Sequence, residues 1–288
     1  MKKISDVLAQ ARNQLEKSGV SNSKLDSLIL LSHAFSFSKE QIIFNPDFEL
    51  DKNQQEKFFA LIDRRAKREP VSQIINNREF FGYNFFINAE VLDPRPDSES
   101  LIELVLKKFP PQELQQKKQN LKILELGCGS GCLIITLLKL YQTAKAKAID
   151  ISAEALKICQ KNSILHKVEN HLQLLQSDLF TKLKHDEKFD LIISNPPYIK
   201  TAEIETLADE VKNFEPRIAL DGGFDGLDFY RKIAAEAGNF LLPNARIIIE
   251  IGFGQKEQII EIFSAEKFIF EQAQNDLSSI ARALCFKV

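Results

Sequence analysis

Leu121-Lys-Ile-Leu-Glu-Leu-Gly-Cys-Gly-Ser-Gly131 carries a short apolar run into three alternating glycines, and residues 132–141 continue as an almost unbroken apolar segment. Large aliphatic residues closed by glycine predict a buried strand over 121–126, a turn, and a helix over 132–141. Glycines at a strand-to-helix turn let the backbone come close to a ligand, which is where open α/β sheets hold cofactors. The alternate spacing is not the G-x-G-x-x-G pattern that favours a pyrophosphate. With Glu125 leading into Gly127, Cys128, Gly129, Ser130 and Gly131, the loop suits a cofactor bearing an ammonium and a sulfonium, the carboxylate attracting the ammonium. The plainer alternative is a helix start that needs positive φ.

The alternation extends downstream. Strands are predicted over 144–149, 172–176, 189–194 and 246–251, with helices over 153–165, 203–212, 227–240 and 255–265, so the sheet should be mostly parallel with right-handed crossovers. The tail, 267–272 followed by 280–288 across a polar turn, reads as a hairpin and places an antiparallel strand at the end of the sheet. Asp150 ends the second strand, about 20 residues beyond the glycine loop, where a carboxylate can accept both hydroxyls of a ribose. It could instead cap the helix from Ala153, a role Ser152 can also fill. Asp178, in Ser177-Asp-Leu-Phe180 at the end of the third strand, is placed to accept an exocyclic amine of an adenine, with Leu179 or Phe180 covering the ring. A turn or capping role explains Asp178 nearly as well.

The fourth strand stops at Asn195-Pro-Pro-Tyr198. Two prolines end the ladder and leave the last polar side chain at the sheet edge, on the side where ligands sit. The Asn195 side-chain oxygen and the Pro196 carbonyl can together accept from one planar NH2 group, Tyr198 can stack on it, and Pro197 completes the acceptor surface. Asn195 also borders the cofactor side. Read alone, the tetrapeptide is equally a proline-terminated strand with an Asn-initiated turn.

The first ~70 residues have a different period. Ile4, Val7, Leu8, Ala11 and Leu15 form one helical stripe, Leu25, Leu28, Ile29, Ser32 and Phe35 another, and residues 51–67 turn Phe58, Phe59, Ile62 and Ala66 inward with Arg64, Arg65, Lys67 and Arg68 outward. A small helical bundle over 1–77 follows, serving partner recognition or folding alone. Phe81, Tyr83, Phe85 and Ile87 then alternate as a strand, with Val91 and Leu92 returning after Asn88-Ala-Glu90, giving a linking hairpin over 78–94. Pro94-Arg-Pro96 makes a rigid turn that brings Arg95 to the pocket edge or into an ion pair with Asp97 or Glu99. Ser98 or Asp97 caps a helix over 99–109, and a polar linker spans 110–120.

Charge is balanced, 38 Lys+Arg against 40 Asp+Glu, which argues against a protein that grips duplex nucleic acid by phosphate neutralisation alone. No stretch reaches 18 apolar residues and residues 1–20 lack the apolar core of a signal peptide, so a cytoplasmic chain with no membrane association is expected. Four cysteines without C-x-x-C spacing and four scattered histidines predict reduced thiols and no metal.

Glu125 to Gly131, Asp150 and Asn195 to Tyr198, in this order on successive strand ends, resemble class I methyltransferases that modify planar amide or exocyclic amine nitrogens. Arg78-Glu-Phe-Phe-Gly82, Val91-Leu-Asp-Pro-Arg-Pro-Asp-Ser-Glu99, Phe214-Glu-Pro-Arg-Ile-Ala-Leu220 and Gly222-Gly-Phe-Asp-Gly-Leu-Asp-Phe-Tyr230 extend the resemblance to nearly the whole chain and narrow it to the peptide chain release factor glutamine methyltransferase family, PrmC/HemK type. The chain departs from that pattern at Arg68-Glu-Pro70, usually Gly-Glu-Pro, at Asp93, usually apolar, and at Leu179, often Trp. The resemblance implies a Rossmann-like sheet over 95–288, a helical domain over 1–77 that recognises the substrate, and S-adenosylmethionine as cofactor. It also implies a monomer with no stable nucleic-acid partner that methylates the glutamine of the Gly-Gly-Gln loop of class 1 release factors. Phe214 to Asp225 would lie near the active site. Alternatives are a ribosomal-protein glutamine methyltransferase, an enzyme acting on a nucleic-acid exocyclic amine, and a cofactor-binding scaffold without catalysis.

Overall fold

The computed structural model describes residues 1–116, 119–276 and 278–288. Lys117 and Lys118 of the predicted linker, and Leu277 in the tail turn, lie outside the described residues. The chain divides into two compact units, residues 1–77 with 208–214, and residues 78–207 with 215–288.

The first unit is helical. Helices Ile4–Lys17, Ser23–Phe35, Lys39–Phe44 and Lys52–Ala66 enclose a core that includes Val7, Leu15, Leu30, Phe58 and Ile62. Two of them start with a capping box, Ser38 with Gln41 and Asp51 with Gln54. The stripe expected on the second helix is displaced, because Ser23, Asp26, Ser27, Leu30 and Leu31 face inward while Leu25 is exposed. Arg65, expected outward, is also buried. The two corrections share one cause. Asp26 Oδ2 accepts from Arg65 Nε at 2.7 Å, and Arg65 also reaches Glu210 and the Glu69 carbonyl, so a neutralised charge cluster occupies positions that hydropathy assigns to apolar residues. Asp26→Ala should destabilise this unit by about 2 kcal/mol, since Arg65 keeps its other partners. By contrast, Glu56→Ala, which breaks the exposed Lys52 pair, should stay within about 0.5 kcal/mol. Urea midpoints of the two variants check the contrast.

The second unit is built on seven strands among the described residues, β1 Lys122–Leu126, β2 Lys145–Asp150, β3 Leu172–Gln176, β4 Phe189–Ser194, β5 Leu241–Glu250, β6 Ile269–Asn275 and β7 Ala281–Lys287. Their order is 6-7-5-4-1-2-3, and β7 alone runs antiparallel to its neighbours. Residues alternate between two cores: Ile123, Leu191, Ile193 and Ile248 pack under helices Glu99–Lys108 and Cys132–Leu140, and Leu124, Ile192, Ile247 and Ile249 under helices Asp228–Ala237 and Lys256–Ala265. With both faces covered, the strands can read as continuous apolar runs. Among the described residues, no helix is long and apolar enough to cross a membrane.

Two sequence expectations change in this unit. The hairpin pairs Arg78–Phe80 with Tyr83–Phe85 and turns at Phe81-Gly82, both at positive φ, rather than at Asn88-Ala-Glu90. Val91 is not a returning strand residue; it packs with Ile87, Ala155 and Ile158. The helix expected over 203–212 is broken into a 3-10 segment Thr201–Thr206 and a helical turn Asp209–Lys212.

Candidate active site

The site lies in the second unit at the carboxyl ends of β1, β2 and β4. The parallel register sets Leu126 beside Ile149 and Ser194, so the glycine loop, Asp150 and Asn195 emerge side by side. A cavity of about 310 Å³ opens there, lined by Glu125, Gly127, Cys128, Gly129, Ser130, Asp150, Asp178, Leu179, Asn195 and Pro197 of the expected residues. A Cβ added at Gly127 or Gly129 meets nothing within 4 Å, so the loop keeps open space against the cavity. Gly131 stands apart, at the helix start, where a Cβ would come 2.5 Å from Cys159 Sγ. That glycine serves packing as well as φ.

Glu125 is 1% exposed and its Oε2 has no hydrogen-bond partner. Burial, with Cys159 and Asp150 nearby, pushes its carboxyl well above the usual range. A cation placed in the cavity would reverse that preference. Asp150 Oδ2 accepts from Gly129 N at 2.8 Å and Oδ1 from Ser152 N at 2.9 Å. Burial raises its pKa and these backbone donors oppose the rise. The capping alternative for Asp150 is taken by Ser152, whose hydroxyl accepts from Ala155 N. Asp150 therefore braces the glycine loop while facing the cavity.

Asn195 Nδ2 donates to Ser98 Oγ at 3.1 Å. Ser98, expected to cap the helix from Glu99, makes no capping bond; its hydroxyl is diverted to the site. Pro196 is buried, and Tyr198 packs against the core on the far face of the sheet rather than lining the cavity. Burial lifts the Tyr198 phenol to about 12. Phe180 does not cover a ligand ring, because it is buried and stacked on Phe240 with centroids 5.0 Å apart; only Leu179 of that pair faces the cavity. Arg95 lines the cavity and pairs with Glu215 (Nη2 to Oε2, 2.7 Å), not with Asp97 or Glu99.

Three polar residues escaped sequence reasoning. Asn162 donates to the carbonyls of Ser130 and Phe86 and accepts from Phe86 N, tying the glycine loop to the segment after the hairpin. Gln255 Nε2 donates to the Tyr198 and Gly226 carbonyls while its Oε1 accepts from Gly252 N, so three loops meet on one side chain. Glu250, at the end of β5, is 1% exposed, and burial lifts it to about 7. A carboxylate after three isoleucines at a strand end was the available signal for Glu250.

Residues 6–75 match the family model described as the PrmC N-terminal domain, and residues 103–213 the methyltransferase small domain. The chain is 37% identical over 284 residues to the release factor glutamine methyltransferase of Agrobacterium fabrum, an alignment spanning 99% of this chain and 97% of that one. The chain belongs to the release factor glutamine methyltransferase family. Identity to the bifunctional methyltransferase of Rickettsia felis is 36% over 98% of this chain, which spans only 58% of that longer protein. A methyltransferase of Pyrococcus furiosus shares the fold, with TM-score 0.55 at 18% identity over 78% of this chain and 98% of that one.

Members of the release factor glutamine methyltransferase family use S-adenosylmethionine, and the residues here fit it. Glu125, buried with an unpartnered oxygen, matches an ammonium; the Gly127 to Gly129 backbone leaves room for a close approach; and Asp150 matches ribose hydroxyls.

Proposed function

We propose that this chain transfers a methyl group from S-adenosylmethionine to the side-chain amide nitrogen of the glutamine in the Gly-Gly-Gln segment of class 1 peptide chain release factors. The observation that carries this reading is Asn195, held by Ser98 at the edge of the cavity that Glu125, Gly129 and Asp150 also line. With its NH2 group committed to Ser98, the Asn195 amide has its oxygen left to accept.

A primary amide nitrogen is a weak nucleophile because its lone pair is delocalised into the carbonyl. When bound, the cofactor supplies an electrophilic methyl group on a sulfonium. Asn195 Oδ1 and the Pro196 carbonyl accept the two amide N–H groups, hold the nitrogen in line, and stabilise the positive charge that develops on it. Tyr198, packed on the far face of the sheet with its carbonyl fixed by Gln255, anchors the turn that carries these two acceptors. No strong base is required, since a methylated amide nitrogen is acidic enough to lose its proton to water or to a neighbouring carbonyl.

Two exposed rings support a protein acceptor. Phe224, 94% exposed, and Phe253, 78% exposed, lie on the loops that Gln255 fastens to Tyr198, and apolar side chains this exposed mark interaction surfaces. The helical unit over 1–77 is assigned to recognition of the release factor, in keeping with the match of residues 6–75.

Incubation with methyl-labelled S-adenosylmethionine and, in parallel, a class 1 release factor, ribosomal proteins and RNA or DNA tests the assignment. Label is expected on the Gly-Gly-Gln glutamine of the release factor. Label confined to ribosomal protein or to nucleic acid would replace it.

A further inference from the structure

Glu250 takes no part in the acceptor geometry above, yet it places a carboxyl group 1% exposed one strand away from Asn195. Register explains the proximity: β4 and β5 pair Ser194 with Ile249, so Asn195 and Glu250 are the next residues out along neighbouring strands. Both lie on the sheet face covered by the helix that begins after Ser98. Oε2 of Glu250 has no hydrogen-bond partner. Arg282 from β7 and the side chains of Ser98 and Asn195 favour its charged form, whereas Asp97 opposes it; Tyr198, Tyr230 and Cys132 are the other titratable groups within its electrostatic reach.

An ionised carboxylate only accepts hydrogen bonds. Beside it, Asn195 can turn its NH2 end but not its oxygen, and the Ser98 hydroxyl, which accepts from Asn195 Nδ2, has its own hydrogen to pass on. If the Asn195 amide were flipped, its oxygen would meet a carboxylate and its NH2 group would face the NH2 group of a substrate amide, donor against donor. A buried carboxyl group is a costly way to fill space, and a hydrophobic side chain would pack there at less cost.

We propose that Glu250, acting through Ser98, is the positioning residue that fixes the Asn195 side-chain amide with its oxygen toward the acceptor site. The proposal rests on the acceptor role given to Asn195 above. Below about pH 7 Glu250 takes up a proton, can donate, and no longer dictates the orientation, so the rate should rise with pH through that region.

The test compares the purified full chain with Glu250→Gln, Ser98→Ala and Glu215→Gln. Glu250→Gln keeps the volume but loses the obligate acceptor. It should lower kcat about 10- to 100-fold with little change in KM for S-adenosylmethionine, and its kcat should be flat where the wild-type value climbs. Ser98→Ala should also lower kcat. Glu215→Gln, which removes the other carboxyl lifted to about 7, should keep the acid limb. Glu250→Asp should retain the limb at reduced kcat.

Folding is controlled separately. The folded chain binds the Glu250 proton more tightly than the unfolded chain, so this group favours folding fully below its unfolded pKa and loses that contribution as pH rises toward 7. Glu250→Gln should therefore melt no lower than wild type at pH 8. One readout needs no methyl transfer: the side-chain NH2 resonances of Asn195, assigned by their absence in Asn195→Ala, should shift with pH through about 7 in wild type and stay fixed in Glu250→Gln. A Glu250→Gln enzyme with wild-type kcat, one that keeps the acid limb, or an unchanged Asn195 titration would overturn the proposal. A wild-type chain that methylates no release factor would count against the proposed function instead, and the resonance would still decide the positioning.

Discussion

Asn195→Ala should lower kcat by about 10²- to 10³-fold, the loss that follows removal of one preorganised contact to developing charge. The substitution removes the oxygen proposed to accept an amide N–H, and it also frees the Ser98 hydroxyl from its 3.1 Å partner. The cofactor contacts are on other elements, the glycine loop after β1 and Asp150 at the end of β2, so KM for S-adenosylmethionine should change far less. Interactions made only in the transition state lower kcat and kcat/KM together, which is the pattern expected for Asn195. Asn195→Asp separates the two functions of the side chain. It keeps an acceptor but sets a second carboxylate beside Glu250, so its kcat should also fall, and more steeply as pH rises. Single-turnover kinetics on a saturated complex is the measurement. A kcat within threefold of wild type in Asn195→Ala would remove Asn195 from the mechanism.

Asp150→Ala should weaken S-adenosylmethionine binding by about 100-fold, a loss of roughly 3 kcal/mol. Two effects combine. The ribose hydroxyls lose their carboxylate, and the backbone N–H groups of Gly129 and Ser152 lose the acceptor that holds the loop at 2.8 and 2.9 Å. An N–H group left without a partner costs about 1–3 kcal/mol when water cannot reach it, so part of the loss should appear as mobility of the loop. Asp150→Asn keeps one acceptor oxygen and should fall between the two. Calorimetric titration with S-adenosylmethionine reads the affinity. At saturating cofactor, kcat for Asp150→Ala should recover to within about tenfold of wild type, because the acceptor side is untouched. Unchanged affinity would leave Asp150 as a brace for the loop and nothing more.

The sheet was legible because its strands are buried on both faces. Residues 172–176 and 189–194 read as strands with the bounds later found, and the tail hairpin followed from two apolar runs across a polar turn. Periodicity failed where charge was buried. It put Leu25 inward and Arg65 outward because hydropathy cannot see that Asp26 and Arg65 neutralise each other across two helices. It also failed at Asn88-Ala-Glu90, whose composition signals a turn, while the chain turned at Phe81-Gly82, where an aromatic residue accepts positive φ because its strands pair on either side.

The site divides in the same way. Glu125, the glycine loop, Asp150 and Asn195 were readable because each ends a strand, and in a parallel sheet the strand ends converge whatever the order of the strands. Ser98 and Glu250 were not readable as part of it. Their roles depend on which strand lies beside β4 and on which helix covers that face, and these are settled by packing between segments 97 and 55 residues distant from Asn195. Tyr198 was placed correctly in sequence but not in space, since its ring goes to the opposite core and only the loop around it is fixed by Gln255. The sequence by itself determined the class of sheet, the order of its chemical groups and the family, because local residue types and their spacing carry that information along the chain. The tertiary structure alone decided which polar groups share a proton, which amide end faces the cavity and which charges are buried together, because hydrogen bonds and burial act through space over a few ångströms and leave no mark on sequence separation.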